Sequence, residues 1–180
     1  MNSSPGSKSL VIDANIARAA GENIAGPSRP CSDFLEAVRE HKHKVVFTPD
    51  VLSEWDEHGS RFTSGWRGRM LRTNQIIFLP DAKDHTLRNS VSNQANDDGS
   101  RTAMLKDVHL LEAALAADRR VASMDDRARS HFLAVSPQID IIRGIMWVNP
   151  DTDSVYCLDW LQRGAPIERE RQLGYQHRNQ

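Results

Sequence analysis

The chain has 180 residues, of which 39% are hydrophobic and 26% charged, and its formal net charge is −1. That size and balance fit one ordinary globular domain and argue against a disordered or collagen-like chain. No apolar stretch approaches the roughly 18 residues that a membrane span requires.

Residues 1–8 are small and polar, carry no apolar signal-peptide core and read as a flexible leader. Without an export signal, the sequence points to the cytoplasm and to no membrane. Ser9 to Asp13 is a short apolar run ending in a carboxylate, the pattern of a buried strand. A helix can begin near Asn15, and Gly21, Gly26, Pro27 and Pro30 then break it. Ser32 stands where it could cap a second helix over Asp33 to Val38. Lys44 to Thr48 is the next strand. Thr48-Pro49-Asp50 then starts a helix: Thr48 caps, Pro49 suits the first position, and Asp50 complements the dipole. That helix carries Val51, Leu52 and Trp55 and ends near Gly59. A basic segment leads to a short strand, Ile76 to Leu79, before Pro80.

Ser90 to Arg101 is rich in Asn, Asp and Ser without periodicity and reads as a mobile loop. Thr102 to Asp118 has apolar residues at three- and four-residue spacing and predicts a helix. Arg120 to Met124 is a strand, Asp126 to Phe132 a turn or short helix, and Ile139 to Val148 the strand that closes the sheet. Asn149-Pro150 breaks it, and Val155 to Leu161 forms a last helix. The folded domain is thus expected over 9–162, with a charged, frayed tail over 163–180. Alternating strands and helices predict a single-domain, three-layer α/β fold with a mainly parallel central sheet.

The placement of the acids carries the chemistry. Asp13 ends the first strand, and Asp125 ends the strand that follows the long helix. In open parallel sheets the strands' carboxyl ends share one edge, where ligand sites gather. Glu54 lies about one turn into its helix, and Asp107 in the second turn of the helix expected from Thr102. All four can reach one cleft. Two unit charges about 4 Å apart repel by about 4 kcal/mol at an effective dielectric near 20. Such a cluster keeps a proton or takes divalent cations, and an all-oxygen donor set suits Mg²⁺ or Mn²⁺. Phosphodiester hydrolysis is the reaction that most naturally uses that arrangement.

Four motifs carry a resemblance: Val11-Ile12-Asp13-Ala14-Asn15, Thr48-Pro49-Asp50-Val51-Leu52-Ser53-Glu54, Lys106-Asp107-Val108-His109, and Val121-Ala122-Ser123-Met124-Asp125-Asp126. Their order and spacing over residues 9–150 resemble the PIN-domain family of metal-dependent ribonucleases. The resemblance implies an endoribonuclease that hydrolyses RNA by metal-activated water, leaving a 3′-hydroxyl and a 5′-phosphate. It implies Asp13, Glu54, Asp107 and Asp125 as catalytic, Mg²⁺- or Mn²⁺-binding acids, with Asn15 and Ser123 supporting them. Asp125 is preferred to Asp126 because Ser-x-Asp is the family's pattern; Asp126 then caps the next helix or stands in an outer shell. The family includes toxins of toxin–antitoxin pairs, so an antitoxin protein and a homodimer are implied partners beside RNA. Two alternatives stand: a PIN-like module that binds RNA or protein without cleaving, and a haloacid-dehalogenase-like phosphohydrolase. The latter would need an acid where Asn15 stands.

Arg61, Arg67, Arg69 and Arg72, with Trp66 among them, form an acid-free segment that could hold phosphates and stack on a base; a solvated helix with Trp66 in the core is the competing reading. His41 and His43 read as a solvated turn, and His109 as structural or exposed. Cys31 and Cys157 are too few for a disulfide scaffold and read as buried thiols. No phosphate-binding Gly-rich loop and no nucleophile elbow occurs.

Overall fold

The computed structural model describes residues 6–21 and 25–175. Five short strands, β1 (Ser9–Ile12), β2 (Lys44–Phe47), β3 (Ile76–Phe78), β4 (Arg120–Ala122) and β5 (Met146–Val148), form one sheet in the order β3-β2-β1-β4-β5. Every pairing is parallel. β1, β4 and β5 are buried throughout, as expected of a parallel sheet covered on both faces, even where β1 and β4 begin with the polar Ser9 and Arg120.

The helices are α1 (Ala14–Ala19), α2 (Ser28–Glu40), α3 (Pro49–His58), α4 (Arg61–Arg72), α5 (His85–Gln94), α6 (Asp98–Leu115), α7 (Asp126–Val135) and α8 (Ser154–Gln162). The chain steps outward from β1 to β3, then crosses back to β4 and β5 on the other side of β1. Right-handed crossovers put the helices of these two excursions on opposite faces. The packing follows: α2 touches α1, α4 and α8, while α6 touches α5 and α7. α3 meets both α1 and α6. The winding reverses between β1 and β4, and doubly wound sheets bind ligands beyond the strands' carboxyl ends at such a reversal.

Several segments differ from the sequence reading. Ser90 to Arg101 is mostly helical, not a mobile loop: α5 continues to Gln94 and α6 starts at Asp98. Asp84 caps α5 through Leu87 N (2.9 Å), and Asp97 caps α6 through Ser100 N (2.8 Å). Leu87 and Val91, four residues apart, anchor α5, and its polar remainder faces solvent. Ser32 does not cap; α2 begins a turn earlier, and Ser32 Oγ donates to the Gly21 and Ser28 carbonyls. Ile139 to Val148 divides into a 3-10 turn, Asp140–Ile142, and β5.

The tail expected to fray is packed as far as it is described. Ala165 and Leu173 are fully buried, and Gln172 bridges to Met146 on β5. Arg171 pairs with Asp153 and lies 3.7 Å over the Tyr156 ring. Residues 176–180 and 1–5 lie outside the described residues. Within the expected leader, Lys8 O already accepts from Lys44 N (2.9 Å). His43 is buried, not solvated: Lys8 N donates to its Nδ1 (3.2 Å), and its Nε2 meets Leu161 O (2.9 Å). Burial holds its pKa below the ordinary value. Cys31 and Cys157 are free and buried, and desolvation pushes each thiol up to about 12. No helix among the described residues is long and apolar enough to cross a membrane.

Candidate functional site

Asp13 leaves β1 at the winding reversal. Its backbone N–H still donates to Ala122 O on β4 (2.9 Å), so the carboxylate sits at the seam of the two central strands. Asp13 Oδ1 accepts from Asn15 N (3.1 Å), which caps α1. Oδ2 accepts from Ser123 Oγ (2.6 Å). Ser123 is fully buried, and its hydroxyl also accepts from Asn15 Nδ2 (3.1 Å) and Asp125 N (3.0 Å). Asn15 Oδ1 in turn accepts from Met124 N (3.3 Å). The backbones after β1 and β4 are thus tied through two short side chains, and both oxygens of Asp13 are oriented.

Asp125 caps α7, taking Ala128 N on Oδ1 (2.8 Å). The capping role assigned to Asp126 in one reading therefore belongs to Asp125. Asp126 is exposed in the first turn, where Asn149 Nδ2 donates to it (3.0 Å). Asn149 carried no functional signal in the sequence.

Asp107 enters from α6. Because α6 starts at Asp98, Asp107 lies in its third turn rather than its second. Among the described residues, no N–H or O–H donates to its half-buried carboxylate. Burial, then the charge of Asp13, pushes its pKa up to about 6; Asp125 adds to the rise, and Lys106 and His109 oppose it. Asp13, Asp107 and Asp125 therefore share one electrostatic environment, although they come from three separate elements.

Glu54 reaches the same side by another route. Trp55 Nε1 donates to Ile12 O (2.8 Å), pinning α3 to the residue before Asp13. Glu54 Oε2 lies 3.3 Å from His109 Nε2, close enough for an ion pair but not aligned as a hydrogen bond. His109 Nδ1 lies 2.9 Å from Lys106 O, so it carries the proton that this carbonyl accepts. His109 is buried beside Glu54, and a protonated imidazole there would favour the ionised carboxylate of Asp107. It links Glu54 to the aspartates, a role that its position two residues after Asp107 did not reveal.

The donor chemistry fits a hard divalent cation. Among the described residues Asp107 has no donor of its own, and a cation would offset both the burial and the neighbouring charge of Asp13 that raise its pKa. Asp13, Glu54, Asp107 and Asp125 are the residues that would hold it. Among the described residues, no group of three acids, histidines or cysteines is drawn together closely enough to coordinate an ion as it stands.

The basic segment differs from the substrate-binding expectation. It forms α4, capped by Ser60, despite Gly65 and Gly68. Trp66 is fully buried, donates Nε1 to Leu35 O (2.8 Å) and stacks on Trp55 at 5.8 Å. It has no face to offer a base. Arg67 pairs with Asp56 (2.7 Å), and Arg69 pairs with Glu36 beside Arg39. Arg61 and Arg72 remain exposed. α4 packs on α2.

Compared with known proteins, the chain matches no family model, no curated protein and no solved structure.

Proposed function

We propose that the protein is a Mg²⁺- or Mn²⁺-dependent endoribonuclease of the PIN type. The observation that carries this reading is the convergence of Asp13, Asp107 and Asp125 at the winding reversal, where Asp107 holds its proton to about pH 6. Active sites are where burial and like charges shift pKa values, and open α/β sheets bind ligands beyond the strands' carboxyl ends at such a reversal.

Each residue has a distinct task. Ser123 and Asn15 fix Asp13, so one acid is pre-oriented before any ligand arrives. Asp125 holds one oxygen in its cap and keeps the other available. Among the described residues Asp107 has no donor to displace, and it loses its proton at about pH 6. Glu54 is steadied by His109 at the flank. When bound, Mg²⁺ or Mn²⁺ supplies the polarisation of the phosphoryl group and the activation of water that hydrolysis requires. The expected products are a 3′-hydroxyl and a 5′-phosphate. RNA is the substrate this reading implies, and an antitoxin protein is the partner implied if the enzyme acts as a toxin.

The test is cleavage of single-stranded RNA by purified protein, with and without Mn²⁺. Cleavage that needs the cation and vanishes in Asp13→Asn and Asp107→Asn supports the proposal. Cation-independent cleavage, or full activity in both variants, overturns it. A second reading, a non-catalytic RNA- or protein-binding module, draws support from the partners that Glu54, Asp125 and Asp126 already have. RNA binding with no cation-stimulated cleavage would select it. For the phosphohydrolase alternative, Asn15 is amide rather than acid, and its side chain is committed to Ser123 and Met124.

A further inference from the structure

The sheet has two edges, and they are treated differently. At the β5 edge, Gln172 bridges to Met146 in antiparallel sense, and Leu173 N donates to Ile145 O (2.9 Å). The C-terminal segment therefore covers that edge. β3, at the other edge, has β2 as its one neighbour in the sheet.

The hydrogen-bond phase of β3 says which groups are left over. Val45 N donates to Gln75 O (2.8 Å), and Leu79 N donates to Phe47 O (2.9 Å). In a parallel ladder alternate residues serve the same neighbour, so positions 75, 77 and 79 face β2. Ile76 and Phe78 then turn their N–H and C=O groups outward. Their side chains share one face of the strand, and Phe78 is 56% exposed. Leu71, on the last turn of α4 just before the strand, is 53% exposed. An uncovered edge with apolar side chains is a template for strand pairing, and natural proteins normally blunt it.

We propose that this edge joins a second copy of the chain, β3 against β3 in antiparallel sense, about a two-fold axis at Ile77. The geometry is self-complementary. With Ile77 opposite the partner's Ile77, each copy's Ile76 lies opposite the partner's Phe78. These are hydrogen-bonded pairs, so each exchanges both backbone bonds. Each also sets an aromatic side chain against a β-branched one on the same face. The flanking charges agree with this register. Arg72 precedes the strand and Asp81 follows it; both are exposed and neither has an ion pair among the described residues. Antiparallel pairing brings the end of the strand that carries Arg72 to the end that carries the partner's Asp81. Parallel pairing would set like charges together. A three-residue strand with these flanks gives an interface at the small end of the specific range, so the dimer dissociates on dilution. The two sheets become one continuous sheet across the axis. This inference is independent of the nuclease reading.

The test is sedimentation of the full chain over a concentration series. The wild type should pass from a 20.3 kDa monomer to twice that mass as concentration rises. Ile76→Pro removes the outward N–H of residue 76 together with the side chain that meets the partner's Phe78, while the β2 ladder runs through residues 75, 77 and 79, so it should weaken the dimer roughly tenfold or more. Arg72→Glu and Asp81→Arg each weaken it, and their combination restores it. These two surface changes decide the matter even if the proline variant folds poorly. A monomer at every concentration overturns the proposal. So does a dimer that is indifferent to all three changes, or a charge-exchange pair whose effects do not compensate.

Discussion

Ser123 Oγ donates a 2.6 Å hydrogen bond to Asp13 Oδ2 across 110 residues of sequence. The same hydroxyl accepts from Asn15 Nδ2 and Asp125 N, so one buried oxygen ties together the chain segments that follow β1 and β4. Ser123→Ala deletes all three bonds and leaves two donors without their acceptor. The expected loss of stability is about 1–3 kcal/mol. Asp13 is also freed to rotate, so Mn²⁺-stimulated RNA cleavage should fall by more than the loss of folded protein explains. Urea denaturation and cleavage rates on the same preparation measure both effects. An alanine variant with wild-type stability and rate would mean that Asp13 is held by its backbone alone.

Asp107 makes the apo protein's stability depend on pH with a definite sign. Its folded-state pKa is about 6, above the ordinary 3.8. Below about pH 4 the group is protonated in both states and the folded state bears no penalty. As pH rises from about 4 to about 6 the unfolded chain ionises while the folded group keeps its proton, so stability falls, and it levels off once the folded group ionises too. The full shift would correspond to nearly 3 kcal/mol; with solvent screening at this partly exposed site, about 1–2 kcal/mol is the expected size. Asp107→Asn should flatten that slope and leave the metal-free protein more stable at pH 7, and on the proposed nuclease reading it should not share the stabilisation by Mn²⁺ expected of the wild type. Thermal melts from pH 4 to 8, with Mn²⁺ and with chelator, test it. A variant less stable than wild type at pH 7, with an unchanged slope, would contradict the electrostatic account.

The frame of the site was legible because strand carboxyl ends are marked by sequence. The apolar run into Asp13 and the run into Ser123-Met124-Asp125 gave both the parallel sheet and its acidic edge. Thr48-Pro49-Asp50 marked the start of α3 because capping and proline geometry are local. What failed was tertiary. Asp84 and Asp97 are local caps of α5 and α6, but what holds the polar α5 in place is the burial of Leu87 and Val91 as it packs against α6. The tail from 163 to 175 has little apolar content, yet Ala165 and Leu173 enter the core, and Arg120 Nε holds Ala165 O (2.6 Å). His109 looked incidental because its partner, Glu54, is 55 positions away and meets it only where α3 packs on α6.

Trp66 separates a core role from a substrate role. It is fully buried against Trp55 and hydrogen-bonded to Leu35 O. Trp66→Ala should cost about 3–5 kcal/mol through the cavity left behind, lowering the urea midpoint sharply. Arg61→Ala, at an exposed residue, should leave stability within about 0.5 kcal/mol of wild type. If Arg61 neutralises one phosphate, the same change reduces the slope of log binding constant against log salt by about 0.9 for a duplex and about 0.7 for a single strand. Denaturation curves and RNA-binding titrations at several salt concentrations distinguish the two residues. A stable Trp66→Ala protein with weakened RNA binding would reverse the assignment.

Glu112 is a charge the fold cannot leave alone. Its side chain is 2% exposed, and it receives Arg88 Nε and Nη2 at 2.7 Å each, with Asp84 N at 2.8 Å. The pair fastens α5 to α6, the helix that carries Asp107. Arg88→Ala removes the compensating cation and leaves a buried carboxylate with one donor. Breaking such a pair costs about 3–5 kcal/mol, and the partial exposure of Arg88 places the expected loss toward the lower value. Replacing both residues, Arg88→Leu with Glu112→Leu, removes the charge together with its partner and should cost less than the single change. A double-mutant cycle in urea measures the coupling. If the single variant loses no more stability than the double, the ion pair is not what holds α5 against α6.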